Sequence, residues 1–298
     1  MGTRSAWLLN LGAEVELENP RRTIGAETRA RLPDLVKKLD ALVPPGDLIL
    51  FGEENEKGLA DGCLGRAWLP TPRALLALAR AGATRLPVPD FDVLRRVNDR
   101  RFSLDLGATL PGQRSVTTLE EVVEALAAPS PRGNWLLRRP HGYAGRGRRR
   151  VRPDEVLGEA RTWIDASLRY SGALVVEPWV ERVADFGLHG HVSATGIVVL
   201  GEPTCQQMTE DGAWIETRRV RHGELGREEA YSLLMAAKSS ADALARAGYF
   251  GAFGIDAFRW RDEHGKLQWN PRCEINARYS MGWGIGMGAV RPDLEHSL

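Results

Sequence analysis

The chain has 298 residues, a length that predicts about two domains and a sizeable buried core. Hydrophobic residues make up 43% of it and charged residues 27%, which is ordinary for a globular protein and excludes a disordered or fibrous chain. With 40 basic and 39 acidic side chains, no overall charge draws the protein to nucleic acid or to a membrane surface.

The cysteines and the N-terminal segment favour a cytoplasmic protein. Cys63, Cys205 and Cys273 are odd in number and far apart, and none forms a C-x-x-C pair, so we expect neither a disulfide framework nor a cysteine zinc site. No apolar run approaches the ~18 residues that a membrane helix needs. The first apolar run breaks at Asn10 and turns acidic, which is not typical of a signal peptide.

Short apolar runs alternate with helical segments over the first ninety residues. Strands separated by helices indicate a parallel α/β sheet, and the change of pattern near residue 90 predicts a domain boundary there. No G-x-G-x-x-G follows the first strand, so a dinucleotide-binding fingerprint is not evident. The predicted strands are 6–11, 47–51 and 84–88, and the predicted helices are 26–42 and 73–81.

The rest of the chain mixes longer strands with a few helices. A helix at 118–127 is expected to be capped by Thr117 or Thr118, with a glutamate in its first turn. The other predicted helices are 91–101, 154–170 and 228–247, and the predicted strands include 173–176, 192–200, 257–260 and 267–269.

Two carboxylates and an amide oxygen are predicted to share one face of a sheet. Asp256 lies in one apparent strand, and Glu274 and Asn276 lie in the next, after a polar turn at 262–265. Residues two apart on a strand face the same side, and an antiparallel partner would bring Asp256 alongside them. Such hard oxygen ligands suit Mg²⁺, which completes its shell with water and phosphates. The alternative is a solvated strand face with ordinary charges.

A glycine-rich turn lies between two basic or apolar strands at 135–151. Gly142, Gly145 and Gly147 would let backbone N–H groups approach a phosphate closely, while the surrounding arginines supply charge. A plain basic hairpin and an arginine-rich patch for nucleic acid are the alternatives.

The segment 173–180 (ALVVEPWV) runs from an apolar strand into Glu-Pro-Trp-Val. Because proline ends strand pairing, the backbone groups that follow would be free to read the edge of a purine beside a large aromatic ring. An edge strand with a packed tryptophan is the alternative, and in isolation the simpler one.

His189 and His191 would face the same side of a strand. A metal site built on this pair lacks a third ligand nearby. Contact with a nucleotide or substrate is one alternative, and ordinary packing within the strand is the other.

Together, and in this order, three of these segments resemble the ATP-grasp superfamily. The family runs from a basic strand and glycine-rich turn, through an apolar strand with a Glu-x-aromatic-aliphatic hinge, to an acidic strand and E-x-N-x-R. The matching segments here are LLRRPHGYAGRGR, VVEPWV, FGIDAF and CEINAR. The resemblance covers roughly 92–298.

The resemblance implies an α/β (α+β) protein with the ATP-grasp fold. Residues 1–91 would form a parallel α/β pre-ATP-grasp domain and 92–298 the ATP-grasp domain. Within the latter, a lid part is expected at about 104–180 and a C-terminal metal-binding part at about 181–298.

The resemblance also implies roles for particular residues. Asp256, Glu274 and Asn276 match the ligands of Mg²⁺ (or Mn²⁺), and Arg278 matches an arginine that contacts the transferred phosphate or the acyl phosphate. Arg100 follows an aspartate and matches a basic residue that reaches the nucleotide phosphates. The other positions implied to bind ATP are Arg138, Arg139, Gly145, Arg146, Glu177, Trp179, Val180 and Asp185.

The chain departs from the family where a lysine usually precedes the glycine turn. Arg138 and Arg139 stand there, and an arginine brings a planar fork instead of a point charge. Eight-residue spacing to Arg146 favours Arg138 as the counterpart, while the Arg-Pro pairing favours Arg139. With Arg138 in that position, it and Arg278 would stabilise the charge that develops on the transferred group.

The implied function is an ATP-dependent ligase that activates a carboxylate as an acyl phosphate for attack by an amine. Amino-acid or peptide-like molecules are the implied substrates, with no nucleic acid or membrane as partner and a homodimer as one option. The alternatives are an ATP-dependent phosphotransferase on the same fold, a degenerate nucleotide-binding module, and an arginine-rich nucleic-acid-binding protein suggested by 146–150.

Overall fold

Three β-sheets with packed helices form residues 4–52, 56–142, 146–208 and 214–295, the part of the chain that the computed structural model describes. Pairs of strands run parallel in the first sheet and antiparallel in the other two. Over the same residues, no helix has the length and apolar character needed to cross a membrane.

The N-terminal sheet has the parallel α/β arrangement that the sequence predicts. Its elements are β1 (Ser5–Leu8), α1 (Glu14–Glu18), α2 (Ala26–Val36), β2 (Leu48–Leu50), β3 (Leu64–Ala67), α3 (Pro72–Arg80) and β4 (Thr84–Arg85). The strands lie in the order β2-β1-β3-β4. Side chains of β1 alternate between two cores, because Ala6 and Leu8 pack with α3 whereas Trp7 packs with α2.

Several boundaries in this domain differ from the predictions. The helix predicted to residue 42 ends at Val36, because Lys38 and Leu39 turn to hydrogen bonds with residues three positions earlier. Strand β3 was not predicted, since its sequence LGRA offers no alternation of apolar and polar residues. Helix α3 begins one residue before its predicted start, because the Thr71 hydroxyl accepts the Ala74 N–H and Pro72 occupies the first helical position.

The helix predicted at 91–101 is two helices, α4 (Phe91–Val97) and α5 (Arg100–Asp105). The Asp99 carboxylate accepts the Arg101 N–H and so begins a second helix. The Asn98 side chain bonds with both the C=O and the N–H of Ala277, which fixes the break against the last strand of the fold. Arg100 therefore starts a helix that is held beside the acidic strand.

The second sheet carries the glycine-rich turn. Its elements are β5 (Arg114–Val116), α6 (Leu119–Leu126), β6 (Trp135–Arg138), β7 (Arg148–Val151), α7 (Arg161–Ser171) and β8 (Leu174–Pro178), with strand order β5-β8-β6-β7. The predicted cap of α6 is confirmed, because Thr118 and Glu121 form a reciprocal capping box. Strands β6 and β7 pair from Trp135–Val151 to Arg138–Arg148, so the turn between them lies at the end of this hairpin.

The third sheet holds the acidic strands. Its elements are β9 (Glu181–Val192), β10 (Val198–Leu200), β11 (Thr204–Met208), β12 (Trp214–Arg219), α8 (Arg227–Arg246), β13 (Gly251–Arg261), β14 (Leu267–Asn276) and α9 (Trp283–Met287). The main path of strands is β12-β11-β9-β13-β14, and β10 pairs with β9. The strand predicted at 192–200 is wrong, because the chain turns at 193–197 and folds back on β9.

The largest core joins the first and third sheets. Trp7 and Leu9 pack in one cluster with Phe186, Phe253 and Ile255 of the third sheet. The second sheet has a separate core around Val176 and Ile164. The division at residue 91 stays a prediction.

Candidate active site

A cavity of about 490 Å³ is lined by residues of the second and third sheets and by residues of the loops and helices that pack on the first sheet. Among the residues that line it are eight that the sequence analysis selected: Arg100, Arg138, Arg146, Asp185, Asp256, Glu274, Asn276 and Arg278. Four other selected residues, Arg139, Glu177, Trp179 and Val180, do not line it. Gly145 lies outside the described residues.

The expected acidic face is present at the floor of the cavity. Asp256 on β13 lies opposite Glu274 on β14, and Gly254 lies opposite Asn276. Asn276 Nδ2 donates to Asp256 Oδ2 at 2.9 Å. Gln206 Nε2 on β11 donates to the other oxygen, Oδ1, also at 2.9 Å. The two carboxylates and the amide are therefore neighbours on one sheet face, as the strand alternation predicts.

The two carboxylates have different electrostatic surroundings. Burial raises the pKa of Asp256, and the nearby Glu274 charge raises it further. Burial also acts to raise the pKa of Glu274, but Arg100 and Arg138 outweigh it and hold that pKa at about 2. Arg100 Nη2 lies 2.9 Å from Glu274 Oε1, and Arg138 Nη2 lies 2.6 Å from Oε2.

The Asp256 environment fits a divalent cation. The carboxylate is buried and accepts hydrogen bonds from two neutral amides, so a cation beside it would offset the cost of burying its charge. With Glu274 and Asn276 it forms the oxygen-only donor set that Mg²⁺ or Mn²⁺ takes. Over the described residues no group of three His, Cys, Asp or Glu side chains is arranged for a metal, so an amide oxygen would have to complete this set.

Arg138 and Arg139 point to opposite sides of the second sheet. Arg138 reaches Glu274 and also lies 3.3 Å from Glu177 Oε1. Arg139 instead donates from Nε to Ser167 Oγ at 3.0 Å and stacks on the rings of Trp163 and Tyr170. The Arg139 guanidinium therefore packs against α7 and does not line the cavity, and the implied role of Arg139 in binding ATP stays a prediction that this orientation does not favour.

Arg100 ties the glycine turn to the acidic strand. Its Nη1 donates to the Arg139 C=O at 2.9 Å, and its Nη2 donates to the Gly142 C=O at 3.1 Å. A Cβ at position 142 would lie 2.6 Å from the Arg146 carbonyl oxygen and 3.0 Å from Arg100 Nη1. Glycine is needed at 142 because the backbone and the guanidinium pack this closely.

Arg278 lies between the acidic face and helix α1. Its Nη2 donates to Asn276 Oδ1 at 2.9 Å and lies 2.6 Å from Glu14 Oε1. Glu14 begins α1, just after the first strand, and is 7% exposed. Sequence analysis missed it, although ligands in parallel α/β sheets commonly bind where the first strands end.

The predicted hinge, Glu177–Val180, neither lines the cavity nor leaves the Trp179 N–H free, in contrast to the expectation. The Trp179 N–H is not free, because it donates to the Asn134 C=O at 2.9 Å. The Trp179 ring is partly exposed and stacks with Arg150. Val180 packs with Leu110, Phe258 and Trp260, and the Glu177 carboxylate bonds with Arg138 and Gln113. The hinge residues thus support the floor and edge of the site without lining the cavity.

Asp185 lines the cavity beside Arg182, with which it forms an ion pair. The Arg182 guanidinium lies 4.2 Å from the centre of the Phe258 ring, next to the Val180 cluster. These contacts place Asp185 at the edge of the cavity nearest the hinge.

Among the described residues, ten buried side-chain polar atoms lack a hydrogen-bond partner, and five of them belong to residues that line this cavity. These five are Glu14 Oε2, Arg100 Nε, His189 Nδ1, Arg278 Nε and Ser280 Oγ. Burying such atoms unpaired is costly, so their presence here indicates a site for a polar ligand.

His189 is enclosed by glycines at the wall of the cavity. It is 2% exposed, and burial lowers its pKa to about 4, so the ring is neutral. A Cβ at Gly254, Gly282 or Gly286 would lie within 3.0 Å of the ring. His191, its expected companion, is not among the residues that line the cavity.

Comparison with known proteins finds similar solved structures but no similar sequence or family model. No protein-family model and no curated protein sequence matches the chain. Among solved structures, a biotin carboxylase–β,γ-ATP complex from Campylobacter jejuni matches with a TM-score of 0.58 and 14% identity, over 95% of this chain and 67% of that one.

Two further structures have similar scores. The ADP complex of an N5-carboxyaminoimidazole ribonucleotide synthetase has a TM-score of 0.55 and 16% identity, over 94% of this chain and 71% of that one. The D-alanyl-alanine synthetase A of Vibrio cholerae has a TM-score of 0.54 and 12% identity, over 99% of this chain and 93% of that one. These are ATP-grasp enzymes, and the present chain therefore has the fold of the ATP-grasp superfamily, as its motifs predict.

Proposed function

We propose that the protein is an ATP-dependent ligase that activates a carboxylate as an acyl phosphate and transfers the acyl group to an amine. The observation that carries this proposal is the convergence of Asp256, Glu274 and Asn276 with Arg100, Arg138 and Arg278 in one cavity. Seven arginines and four carboxylates are among its lining residues, an excess of positive charge that suits a polyphosphate and a carboxylate together.

Arg100 and Arg138 would bind the phosphates of the nucleotide. Both guanidiniums now bond with Glu274, one to each carboxylate oxygen. A triphosphate entering the cavity offers these cations stronger partners, and Glu274 is then released to act as a metal ligand. When Mg²⁺ is bound there, it neutralises charge on the phosphates during phosphoryl transfer.

Arg278 would hold the carboxylate and the acyl phosphate formed from it. Its Nε is buried without a partner, while its Nη2 is fixed by Asn276 and Glu14. A carboxylate oxygen at this point attacks the γ-phosphorus, and the bond from phosphorus to ADP breaks. The amine nitrogen then attacks the acyl carbon, phosphate leaves, and the amine proton passes to phosphate or solvent.

Small amino-acid or peptide-like molecules are the proposed substrates. One of the similar structures is a D-alanyl-alanine synthetase, whose name denotes a dipeptide product. Two of the similar structures are complexes with ADP or β,γ-ATP, which further supports ATP as the nucleotide.

The test is ADP release across pairs of carboxylates and amines, with and without Mg²⁺. We expect ADP to form only when ATP, Mg²⁺, the carboxylate substrate and the amine substrate are all present. If no pair of amino acids or peptides releases ADP, and ATP also fails to bind by calorimetry, the proposal is wrong.

A further inference from the structure

Five large apolar side chains are among those that line the cavity, and we call them the apolar wall: Leu11, Leu35, Trp68, Trp214 and Met281. Leu11 and Trp68 belong to the main core, and Leu35 and Met281 pack against it. The Trp214 indole is held in place, because its Nε1 donates to Thr217 Oγ1 at 2.8 Å.

Arg278 connects the apolar wall to the acidic face. Its guanidinium carbon lies 5.9 Å from the centre of the Trp68 ring, while Nη2 donates to Asn276 Oδ1. A carboxylate held by Arg278 beside Asn276 would therefore have the rest of its molecule against the apolar wall.

The charged groups near the apolar wall are already neutralised or lie in solvent. The Glu14 carboxylate pairs with Arg278 at 2.6 Å, and the His189 ring is buried and neutral. Arg31 lines the cavity, and Lys38 Nζ lies 5.3 Å from the centre of the Trp214 ring, but both of these side chains are exposed. A charged substrate side chain would have to lie against Leu35, Trp68 and Met281, where burial disfavours charge.

We infer that the carboxylate substrate carries an apolar side chain, branched or aromatic, which binds against the apolar wall. This inference rests on the proposed ligase activity. The free amino or hydroxyl group of the substrate would bind the buried unpaired atoms near the wall, which include Glu14 Oε2 and Ser280 Oγ. Each carbon buried there should raise kcat/KM roughly fourfold, so leucine, with three more carbons, should exceed alanine by roughly 60-fold.

The test uses hydroxylamine as the amine, so that the natural acceptor need not be known. The enzyme is given ATP, Mg²⁺, hydroxylamine and one amino acid from the set alanine, leucine, phenylalanine, serine, aspartate and lysine. Hydroxylamine attacks the acyl carbon, phosphate leaves, and the hydroxamate is measured by its iron complex. We expect leucine or phenylalanine to give the highest kcat/KM.

A wall variant and a matched control locate the effect. Leu35→Asn should lower kcat/KM for leucine at least tenfold and leave the Kd for ATP unchanged. Leu76→Asn alters a 52%-exposed leucine on α3 that does not line the cavity, and it should change neither value.

The outcomes separate the two proposals. Higher kcat/KM with serine, aspartate or lysine, or equal losses for all amino acids in Leu35→Asn, would overturn the inference and leave the ligase activity standing. Absence of hydroxamate with every carboxylate, together with failure to bind ATP, would overturn the proposed function and this inference with it.

Discussion

Asp256 and Glu274 lie directly opposite each other on β13 and β14, yet their pKa values move in opposite directions. Burial is the main cause of the raised pKa of Asp256, whose carboxylate accepts hydrogen bonds from neutral amides. At Glu274 the guanidiniums of Arg100 and Arg138 outweigh burial and lower the pKa. The site thus holds one carboxylate that lacks a bonded cation and one that has two.

Neutral substitutions at these two positions should have opposite effects on stability at pH 7. Asp256→Asn removes a buried charge and should raise the midpoint of urea unfolding. Glu274→Gln leaves the buried Arg100 guanidinium without a carboxylate partner and leaves Arg138 with Glu177 alone, so it should lower the free energy of unfolding by about 3–5 kcal/mol. Asp256→Asn should still lose at least 100-fold in ADP release. Glu216→Gln, an exposed strand position outside the cavity, is the control.

The pH dependence follows from the same shifts. The folded pKa of Glu274, about 2, lies below its ordinary value of 4.5, so its stabilisation is present above pH 4.5 and is lost as the pH falls toward 2. The folded pKa of Asp256 lies above its ordinary value, so its contribution is present at low pH and is lost as the pH rises through the folded pKa. Urea unfolding of the wild type and Glu274→Gln should therefore converge as the pH falls from 4.5 to 2. A difference in unfolding free energy between the two proteins that stays constant over this pH range would contradict the low pKa of Glu274.

Arg138 should matter for activity and Arg139 for stability. Arg138→Ala should lower kcat at least 100-fold, and Arg138→Lys should retain a substantial part of it because the charge is kept. Arg139→Ala removes two ring contacts and a bond with Ser167, so it should cost roughly 1–3 kcal/mol of unfolding free energy with little change in kcat. A greater loss of kcat in Arg139→Ala would show that the roles are reversed.

Gly142→Ala should weaken ATP binding. The new Cβ would meet the Arg146 carbonyl oxygen and the Arg100 guanidinium, so the turn and its arginine must shift. We expect the KM for ATP to rise at least tenfold. Gly158→Ala is the matched control, because the nearest atom to its new Cβ is 3.8 Å away. Equal KM values for ATP in the two variants would show that close packing at Gly142 is not needed for ATP binding.

Trp179→Ala should leave nucleotide affinity within about threefold of the wild type. The ring is partly exposed and stacks on Arg150, outside the cavity. The loss of this stack is worth about 0.5–1 kcal/mol at an exposed site, and it should be seen in unfolding rather than in binding. Calorimetric titration with ATP checks the affinity, and a tenfold weaker Kd would return Trp179 to the nucleotide site.

The acidic face could be predicted because it depends on local periodicity. Glu274 and Asn276 are two residues apart on one strand, and a hairpin places Asp256 opposite them. The same alternation separates Arg138 from Arg139. The orientation of the two side chains favours Arg138, the residue that the eight-residue spacing also favours, over Arg139.

Other parts of the site could not be predicted because they depend on contacts between distant segments. Gln206 reaches Asp256 across 50 positions, and Glu14 reaches Arg278 from helix α1, near the other end of the chain. His189 lines the cavity only because glycines from two later segments leave room for its ring. At the hinge, the proline pattern indicated free backbone groups, but pairing with Asn134 continues one residue beyond Pro178.

The most direct test of the proposed chemistry is transfer of oxygen from the carboxylate to phosphate. The amino acid that supports the fastest hydroxamate formation is labelled with ¹⁸O in its carboxylate and incubated with enzyme, ATP, Mg²⁺ and amine. Formation of an acyl phosphate predicts one ¹⁸O atom in each inorganic phosphate released, as seen by its mass or by the ³¹P shift. Unlabelled phosphate, or phosphate retained in a stable ester, would contradict acyl-phosphate formation in this cavity.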